Sequence, residues 1–595
     1  MPQTPFSITN FSGGINLTLE SRASGLDPKS NSYQVIDGSN VEFLKSGTIA
    51  KANGYAKFYG SLLNDNAEVN GVHLFITADA TEFLLAAIGS KLFSSTDQGV
   101  TWTEIFSGLH PTDRVRMATF VNKVIICNGH VILEWDGITP TATTPPWWVD
   151  SDIPSIIEVH SNRLFVTGSP TKPYRVWHSG ISALIFDPSG TTVPGVGTVT
   201  VANTTTTTVT GVATTFTTDV VVGDTLVVGT QERVVASVVD DTTLTVALAF
   251  TPAFTTQSYT LKKAPINPGD SFDVNLADGQ KVVGIKTYLE FLAIFKEKSI
   301  FKLAGSTNSS LVNSPNPFSL VTITTTTGCV SHDSIIAVNN DILFASEFGV
   351  LALSVVNALV SPVRSNILSS KIQPLIDQWN KSIMSKSFAI HHRSKQQVWF
   401  WIPGTATSNQ VDRVLVLDYE LSNWSIRDGF TGKCGILYKD KLLVGGYGGY
   451  LWQHDVTSTY DGSHFNSFFT LPWLPFDENY MTNKQLQEVY LNYEKLGSNT
   501  LTMEVQRNWK PARISKTLTL TATTINPPNF SLTSWDIAKR FTHDVETLRL
   551  RGGFGVAKVF GLKFKDTGTT GPYKILGLDF IVDALGPDLP NYDKD

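Results

Sequence analysis

Residues 335–354 read IIAVNNDILFASEFGVLALS, which is a short apolar strand, a polar turn, a strongly apolar strand, a second turn and a third strand. Apolar and polar residues alternate with a period of two, and β-branched and aromatic side chains are frequent, as in half-buried β-strands. Counting this stretch, the pattern occurs seven times, at residues 73–102, 116–137, 157–180, 285–306, 335–354, 388–424 and 434–455. A unit of strands repeated about every 40–50 residues is typical of a β-propeller, so we predict an all-β fold with about seven blades.

The composition indicates a folded chain of several domains. Its 595 residues are 42% hydrophobic and 16% charged, whereas disordered chains have few apolar residues and many charges. The net charge is −6, from 46 Lys and Arg against 52 Asp and Glu, so the totals show no basic nucleic-acid-binding surface. The cysteines Cys127, Cys329 and Cys434 are too few and too far apart for a disulfide framework or a CxxC metal site.

One region between the repeats has a different composition. Residues 187–263 are rich in Thr and Val, and the turns at 222–224 and 240–243 divide them into four or five short strands. Thr alternating with Val favours strands, although a Thr-rich segment also fits a linker or a glycosylated stalk. We predict a small inserted β-barrel or sandwich on a blade loop.

The pattern changes again near residue 460, where the strands become longer and keep one apolar face. Val489, Leu491 and Tyr493 alternate in this way, which favours a β-sandwich with Greek-key connections. We therefore divide the chain into an N-terminal arm with the first strands (1–60), the first part of the propeller (61–186), the inserted domain (187–263), the second part of the propeller (264–460) and a C-terminal β-sandwich or platform domain (461–595).

Two apolar segments are candidate subunit interfaces. Residues 365–386 show helical spacing, and residues 465–476 are unusually aromatic. The candidate interface residues are Ile372, Leu375, Ile376, Trp379 and Ile383 in the first segment, and Phe468, Phe469 and Trp473 in the second. The alternatives are that the helix caps the apolar edge of the propeller and that the aromatic run is the core of the domain junction.

Residues 95–102, STDQGVTW, match the S-x-D-x-G-x-T-W pattern of the Asp box, a hairpin motif of sialidases and other propellers. In this motif Ser95, Asp97 and Thr101 organise the turn, Gly99 supplies a positive φ, and Trp102 packs under it. We interpret this motif as structural. A sialidase would also need an arginine cluster, a Tyr nucleophile and several such boxes, and the sequence has one box.

No motif of nucleophilic, phosphate-binding or metal chemistry is present in the sequence. G-x-S-x-G, G-x-x-x-x-G-K-[ST] and H-E-x-x-H do not occur. His391 and His392 are adjacent in a predicted strand, where they would face opposite sides and could not chelate one ion. We therefore predict no enzymatic activity, no cofactor and no metal site.

The N-terminal segment carries the most informative motif. Phe11, Gly13, Gly14, Ile15 and Asn16 form an F-x-GG-[IL]-N phrase, which is followed by Asp27-Pro28, Asn40 and Gly54. Residues 291–306, the Gly328-Cys329 step before 335–354, and the ending LGLDFIVDALG at 576–586 complete the pattern. In outline over residues 6–60 and 264–595, this chain resembles bacteriophage tail nozzle and hub proteins of the tail-tubular-protein-B and packaged-DNA-stabilisation type.

The resemblance implies a structural virion protein made in the host cytoplasm. It would form a ring or tube, as a homohexamer, at the distal end of the phage tail, where it would retain packaged DNA and conduct it during ejection. The implied partners are portal-proximal tail adaptor proteins, tail fibres or spikes, and passing double-stranded DNA read without sequence specificity. We expect no membrane-spanning segment, because no uncharged apolar stretch reaches about 20 residues.

The Asp box lies outside the resemblance and leaves a second hypothesis open. The alternative is a carbohydrate-binding or sialidase-like β-propeller. The composition suits the first hypothesis, a tail protein. A low charged fraction suits a subunit with much surface in permanent contacts. A net negative chain suits a DNA conduit, because cationic walls would bind the DNA phosphates tightly.

Overall fold

The computed structural model describes most of the chain. The described residues are 3–19, 25–27, 31–59, 64–138, 145, 147–148, 150–184, 186, 192–262, 270–305, 318–354, 367–477, 479–511, 514–521, 545–566, 568 and 571–586. Pro28 of the tail-protein pattern and residues 365–366 of the predicted helix lie outside them.

Within the described residues, seven antiparallel sheets follow one another along the chain as the blades of a propeller. Blade 1 consists of strands Val69–Ile76, Glu82–Ile88, Lys91–Ser95 and Thr103–Ser107. Blade 2 consists of Arg116–Phe120, Lys123–Cys127 and Ile132–Trp135. Blade 3 consists of Ile156–His160, Arg163–Thr167, Arg175–His178 and Asp270–Asp273. Blade 4 consists of Val282–Tyr288, Phe291–Lys296, Ile300–Ala304 and Ser319–Thr324. Blade 5 consists of Ile336–Val338, Asp341–Ser346 and Gly349–Ala352. Blade 6 consists of Phe388–His392, Gln397–Ile402, Arg413–Asp418 and Asn423–Asp428. Blade 7 consists of Cys434–Tyr438, Lys441–Gly445, Leu451–His454 and Tyr55–Lys57.

The first strands of the blades form a closed ring. Each contacts the first strand of the next blade, except that the turn His332–Ser334 makes the contact between blades 4 and 5. The first strand of blade 7 contacts that of blade 1, and Tyr55–Lys57 from the N-terminal region is the outer strand of blade 7. The prediction of an all-β propeller with about seven blades is confirmed.

The Thr-rich insertion leaves blade 3 between its third and fourth strands. Its strands form one eight-stranded sheet over residues 192–262, with a short helix, Phe216–Asp219. The strands are Thr192–Pro194, Thr198–Val201, Thr208–Val212, Thr225–Val228, Gln231–Asp240, Thr243–Val246, Phe254–Gln257 and Thr260–Lys262. Alternate apolar residues such as Val199, Leu226 and Leu244 form a hydrophobic cluster within this segment. Thr192 pairs with Lys262, so the two ends of the insertion lie side by side.

The C-terminal region forms two further sheets that include strands from the N-terminal arm. In the described part of the chain, one sheet contains Val545–Arg551, Asn483–Glu494, Lys574–Gly586, Ile49–Lys51 and Val41–Phe43 in spatial order, with Gln3–Ile8 and Val556–Ala557 paired beside them. The other contains Asp37–Ser39, Phe468–Thr470, Phe560–Asp566, Asn499–Arg507 and Ile514–Leu520. A buried ion pair joins the sheets, with Lys51 Nζ 2.7 Å from Asp566 Oδ2.

The largest hydrophobic cluster joins the sandwich to the propeller. It contains arm residues such as Phe11 and Ile15, sandwich residues such as Phe580, and blade residues such as Phe400 and Val350. Apolar faces of the arm therefore pack against both parts of the chain, which lie against each other through a common core.

The predicted helix over 365–386 is replaced by short helical turns. The structure has Ser370–Ile372 and Lys381–Lys386 as 3-10 turns and Gln373–Ile376 as a single α-turn. Pro374 is confined to the first turn of a helix because its ring has no N–H, and the Asn380 side chain accepts a hydrogen bond from Ser382 N and starts the next turn. Among the described residues, no helix is long and apolar enough to cross a membrane.

Candidate functional site

A cavity of about 240 Å³ lies where the first strands of the blades converge on the propeller axis. Every blade contributes a wall residue from its first strand or from the turn just before that strand. The volume is below the roughly 300–1,000 Å³ of most small-molecule sites. It is also far too small for a DNA duplex, whose major groove alone is about 12 Å wide.

An ion pair connects opposite sides of this cavity. Arg116 begins blade 2, and its Nε and Nη2 lie 3.0 and 2.7 Å from the two carboxylate oxygens of Asp333, in the turn before blade 5. Arg114 Nη1 lies 3.1 Å from Asp333 Oδ2, so two guanidinium groups share one carboxylate. Arg116 also donates to the carbonyl oxygen of Ser155 at 2.7 Å.

The remaining charges of the cavity are also paired. Lys286 Nζ lies 3.0 Å from Glu158, which accepts a further hydrogen bond from Thr287 N at 3.2 Å. Because bidentate and charge-assisted hydrogen bonds are the strong ones, this network holds the first strands of blades 2, 3, 4 and 5 together at the axis.

The network sets the protonation states of its buried groups. Burial alone would raise the pKa of Asp333, but Arg114 and Arg116 hold it well below its usual range. Burial, with the nearby charge of Arg116, lowers the pKa of His332 to about 3. Asp333 is therefore charged and His332 neutral at pH 7, and Asp333 is a positioning group for two arginines.

The Asp box forms the hairpin between the third and fourth strands of blade 1. The Asp97 carboxylate accepts hydrogen bonds from Thr101 N at 2.8 Å and Thr101 Oγ1 at 2.6 Å, and Ser95 Oγ donates to it at 2.8 Å. Gly99 has φ +91° and donates its N–H to Ser95 Oγ, and Trp102 Nε1 donates to the Gly99 carbonyl. The Thr101 bonds, chiefly, lower the pKa of Asp97 to about 2. All these side chains are engaged within the turn, which agrees with a structural role.

The candidate interface residues lie in two environments. Ile372, Ile376, Trp379 and Phe469 are buried in the chain's own core, so a neighbouring subunit cannot reach them in this fold. Leu375, Ile383, Phe468 and Trp473 are half-buried. Phe468 lies under Lys563 Nζ, 4.1 Å from its ring centre, and Trp473 packs on the exposed Trp509 with ring centres 6.1 Å apart. The sequence pattern could not separate these environments, because both sets are apolar.

The fold also assembles a cluster that the sequence did not indicate. His110 and Asp113 follow blade 1, and His130 lies in the turn between the last two strands of blade 2. Their ligand atoms lie within 4.8 Å of one another. The spacing of 17 residues between Asp113 and His130 matches no motif, so only the pairing of the strands brings them together.

No protein-family model and no curated protein matches the chain. Among solved structures, the chain is similar to the WD40 domain of Neurospora crassa Pan2, with 8% identity, a TM-score of 0.34, and 68% of this chain and 96% of that chain covered. For a streptogramin B lyase the values are 10%, 0.32, 67% and 96%, and for the computationally designed protein Ika8 they are 9%, 0.32, 67% and 100%. These TM-scores carry no argument about function, and the architecture rests on the strand pairing described above.

Proposed function

We propose that the chain is a structural virion protein that forms the distal ring of a phage tail, a nozzle or hub that retains packaged DNA and conducts it on ejection. The position of the residues that carry the resemblance supports this most. Phe11 and Ile15 are fully buried in the core shared by arm, sandwich and propeller, and Ile15 N donates to the Trp424 carbonyl of blade 6. A Cβ on Gly14 would lie 2.7 Å from Cβ of Asn423.

A second part of the pattern belongs to the same junction. Asn40 has φ +57°, donates to the Asn466 carbonyl, and accepts from Asp428 N at 2.9 Å, which ties the arm to blade 6 and to the start of the sandwich. The residues that resemble the tail proteins therefore specify how the two parts of the chain are joined. This favours a common architecture over a common catalytic site.

The narrow propeller axis bears on where DNA would pass in the proposed ring. Because the Arg116–Asp333 pair bridges a cavity of about 240 Å³, a duplex cannot run through a single subunit. The conduit would lie on the symmetry axis of a ring of subunits, and a hexamer is the expected form. With a charge of −6 per chain, subunits would be held by apolar and hydrogen-bonded contacts rather than by net attraction.

The test is the mass and shape of the purified protein, alone and with tail adaptor rings. We expect ring-shaped particles in electron micrographs and a light-scattering mass of about six chains, six times 65.0 kDa. A protein that stays monomeric at high concentration and binds no adaptor ring would contradict the proposal.

The carbohydrate-binding or sialidase-like propeller remains the second candidate, on the Asp box alone. A sialidase needs arginines for the substrate carboxylate, and both arginines of the cavity are already paired with Asp333. We therefore propose that the protein has no enzymatic activity. Release of sialic acid from glycans, abolished by a single substitution at the cavity, would reverse this choice.

A further inference from the structure

Two histidines and one aspartate, His110, His130 and Asp113, lie close together near the start of blade 2. His110 Nδ1 lies 2.9 Å from Asp113 Oδ2, and His130 Nε2 lies 2.8 Å from the same oxygen. The two imidazole rings are stacked, with centres 4.3 Å apart and an interplanar angle of 13°. One carboxylate oxygen is thus approached by two ring nitrogens from two separate segments of the chain.

The segment that carries His110 and Asp113 is fixed on both sides. The side chain of Leu109 is buried, the Pro111 carbonyl accepts a hydrogen bond from Asn70 Nδ2 at 2.8 Å, and the Thr112 carbonyl accepts one from Lys433 Nζ at 2.6 Å. Neighbouring backbone groups are therefore held by blades 1 and 7, and the two side chains start from a preorganised loop.

The turn that carries His130 is fixed as well. Asn128 Oδ1 accepts hydrogen bonds from His130 N and Val131 N, both at 3.0 Å, and the Asn128 side chain is buried. This turn keeps the His130 ring against the loop. The close approach of the three groups therefore does not depend on a mobile backbone.

One of the ring nitrogens is not satisfied by its neighbours. His110 Nδ1 is shielded from solvent and makes no hydrogen bond among the described residues, although Asp113 Oδ2 is 2.9 Å away. In this arrangement Nδ1 is held against the carboxylate without a hydrogen bond, and an ion bound between the two would give it a partner. A cation placed between the rings and the carboxylate would engage all three ligand atoms at once.

We propose that His110, Asp113 and His130 form a binding site for a divalent transition metal ion, with Zn²⁺ the best match. Two imidazole nitrogens and one carboxylate oxygen are ligands that Zn²⁺ favours, whereas Ca²⁺ and Mg²⁺ prefer oxygen ligands. Zn–ligand bonds of about 2.0–2.2 Å need a small rotation of the stacked rings toward the ion. The side chains are about half exposed, so water would complete the coordination.

The metal would act as a staple between two segments of the propeller. His110 and Asp113 lie in the connection from blade 1 to blade 2, and His130 lies in the far turn of blade 2. Arg114, which pairs with Asp333 in the ion-pair network at the propeller axis, directly follows Asp113. Binding to the folded state alone would therefore stabilise this corner of the propeller and the start of the axial ion-pair network.

Isothermal titration of tag-free, chelator-treated protein with ZnCl₂ tests the site. We expect one ion per chain with a low-micromolar dissociation constant. Asp113→Asn and His130→Gln should each weaken binding by about tenfold or more. Glu104→Gln, an exposed carboxylate of blade 1, and His391→Gln, a half-buried histidine of blade 6, should bind as the unmodified protein does.

A second measurement keeps the outcome decisive if a variant folds poorly. Co²⁺ bound to the unmodified protein should give the intense visible absorption of a four-coordinate site, and Zn²⁺ should displace it. A Zn²⁺ dissociation constant above about 100 µM would overturn the proposal, because such binding is far weaker than the low-micromolar affinity expected of this site. Binding that survives both ligand substitutions, or a Co²⁺ spectrum of a six-coordinate ion only, would overturn it equally.

Discussion

At the scale of single residues, Gly99 carries the strictest backbone requirement of the Asp-box turn. Its φ is +91°, and a Cβ there would lie 2.4 Å from Cε1 of Phe58. We expect Gly99→Ala to lower the free energy of unfolding of the propeller by about 2–4 kcal/mol, from backbone strain and from overpacking together. Urea denaturation followed by tryptophan fluorescence measures the change.

Gly462→Ala is the matched control for that substitution. Gly462 also has a positive φ, +86°, but nothing lies within 4 Å of the place that a Cβ would take there. We expect it to cost only about 1 kcal/mol. Equal losses for the two variants would mean that the contact with Phe58 contributes nothing.

His454 makes the propeller sensitive to acid. Its side chain is 1% exposed among Tyr55, Trp401 and Phe430, neither ring nitrogen has a hydrogen-bond partner among the described residues, and burial lowers its pKa to about 3. Below the ordinary pKa of about 6.5, the unfolded chain binds a proton that the folded chain does not. Stability therefore falls by about 1.4 kcal/mol per pH unit from this residue as pH drops from 6.5 toward 3.

His454→Phe tests this pH dependence. The variant cannot take up the proton in either state, so the slope of unfolding free energy between about pH 4 and 6 should be smaller by about 1.4 kcal/mol per unit. Above about pH 7 the two slopes should agree, which separates titration from a packing change. Identical slopes in the acid range would show that His454 is protonated in the folded protein.

At the scale of elements, the insertion and the N-terminal arm should respond in opposite ways to deletion. Thr192 and Lys262 are paired strand residues, so a short Gly-Ser linker can replace the segment between them with little closure cost. We expect the remaining chain to stay soluble and to keep its propeller, as judged by circular dichroism and protection from proteolysis. An insoluble product would show that the inserted β domain, predicted as 187–263, is integral to blade 3.

Removal of residues 1–57 should instead prevent folding. It takes away the outer strand of blade 7, Tyr55–Lys57, and the arm strands of both sandwich sheets, including Ile49–Lys51. Tyr55 also stacks on Tyr460 with ring centres 4.7 Å apart. We expect the truncated chain to aggregate on expression, and a soluble product with an intact near-ultraviolet spectrum would contradict this.

At the scale of the whole molecule, burial decides which apolar residues could hold subunits together. Trp379 and Phe469 are 4% and 0% exposed, so a charge at either position should unfold the chain rather than block assembly. Trp509 is 40% exposed and packs on Trp473. We expect Trp509→Lys to leave the subunit folded and to lower the fraction of rings, measured by light scattering.

Leu248→Lys is the control for assembly, because Leu248 is 70% exposed on the insertion. It should leave ring formation unchanged. If Trp509→Lys also assembles normally, the contact lies elsewhere on the surface. If neither the unmodified protein nor the control forms rings, the proposed function fails before the interface is tested.

The local sequence pattern predicted the architecture, but it did not predict the axial cavity or the cluster of His110, Asp113 and His130. The strands and the number of blades could be predicted because period-two alternation and turn residues are properties of neighbouring residues. The Asp box could be predicted for the same reason, since its bonds run between residues 95 and 102. The prediction of one helix over 365–386 was wrong, because Pro374 and Asn380 interrupt the periodicity and the core takes up its apolar residues.

The all-β class, the repeated blade, the Thr-rich insertion and the hairpin at Asp97 all follow from the order of residues along the chain. Three further features are seen only in the folded chain: Tyr55–Lys57 closes blade 7, the arm enters the C-terminal sandwich, and Arg116 meets Asp333 across 217 residues of chain. The reason is that the period of the pattern indicates which face of a strand is apolar. Which other element packs on that face depends on how the whole ring of blades closes.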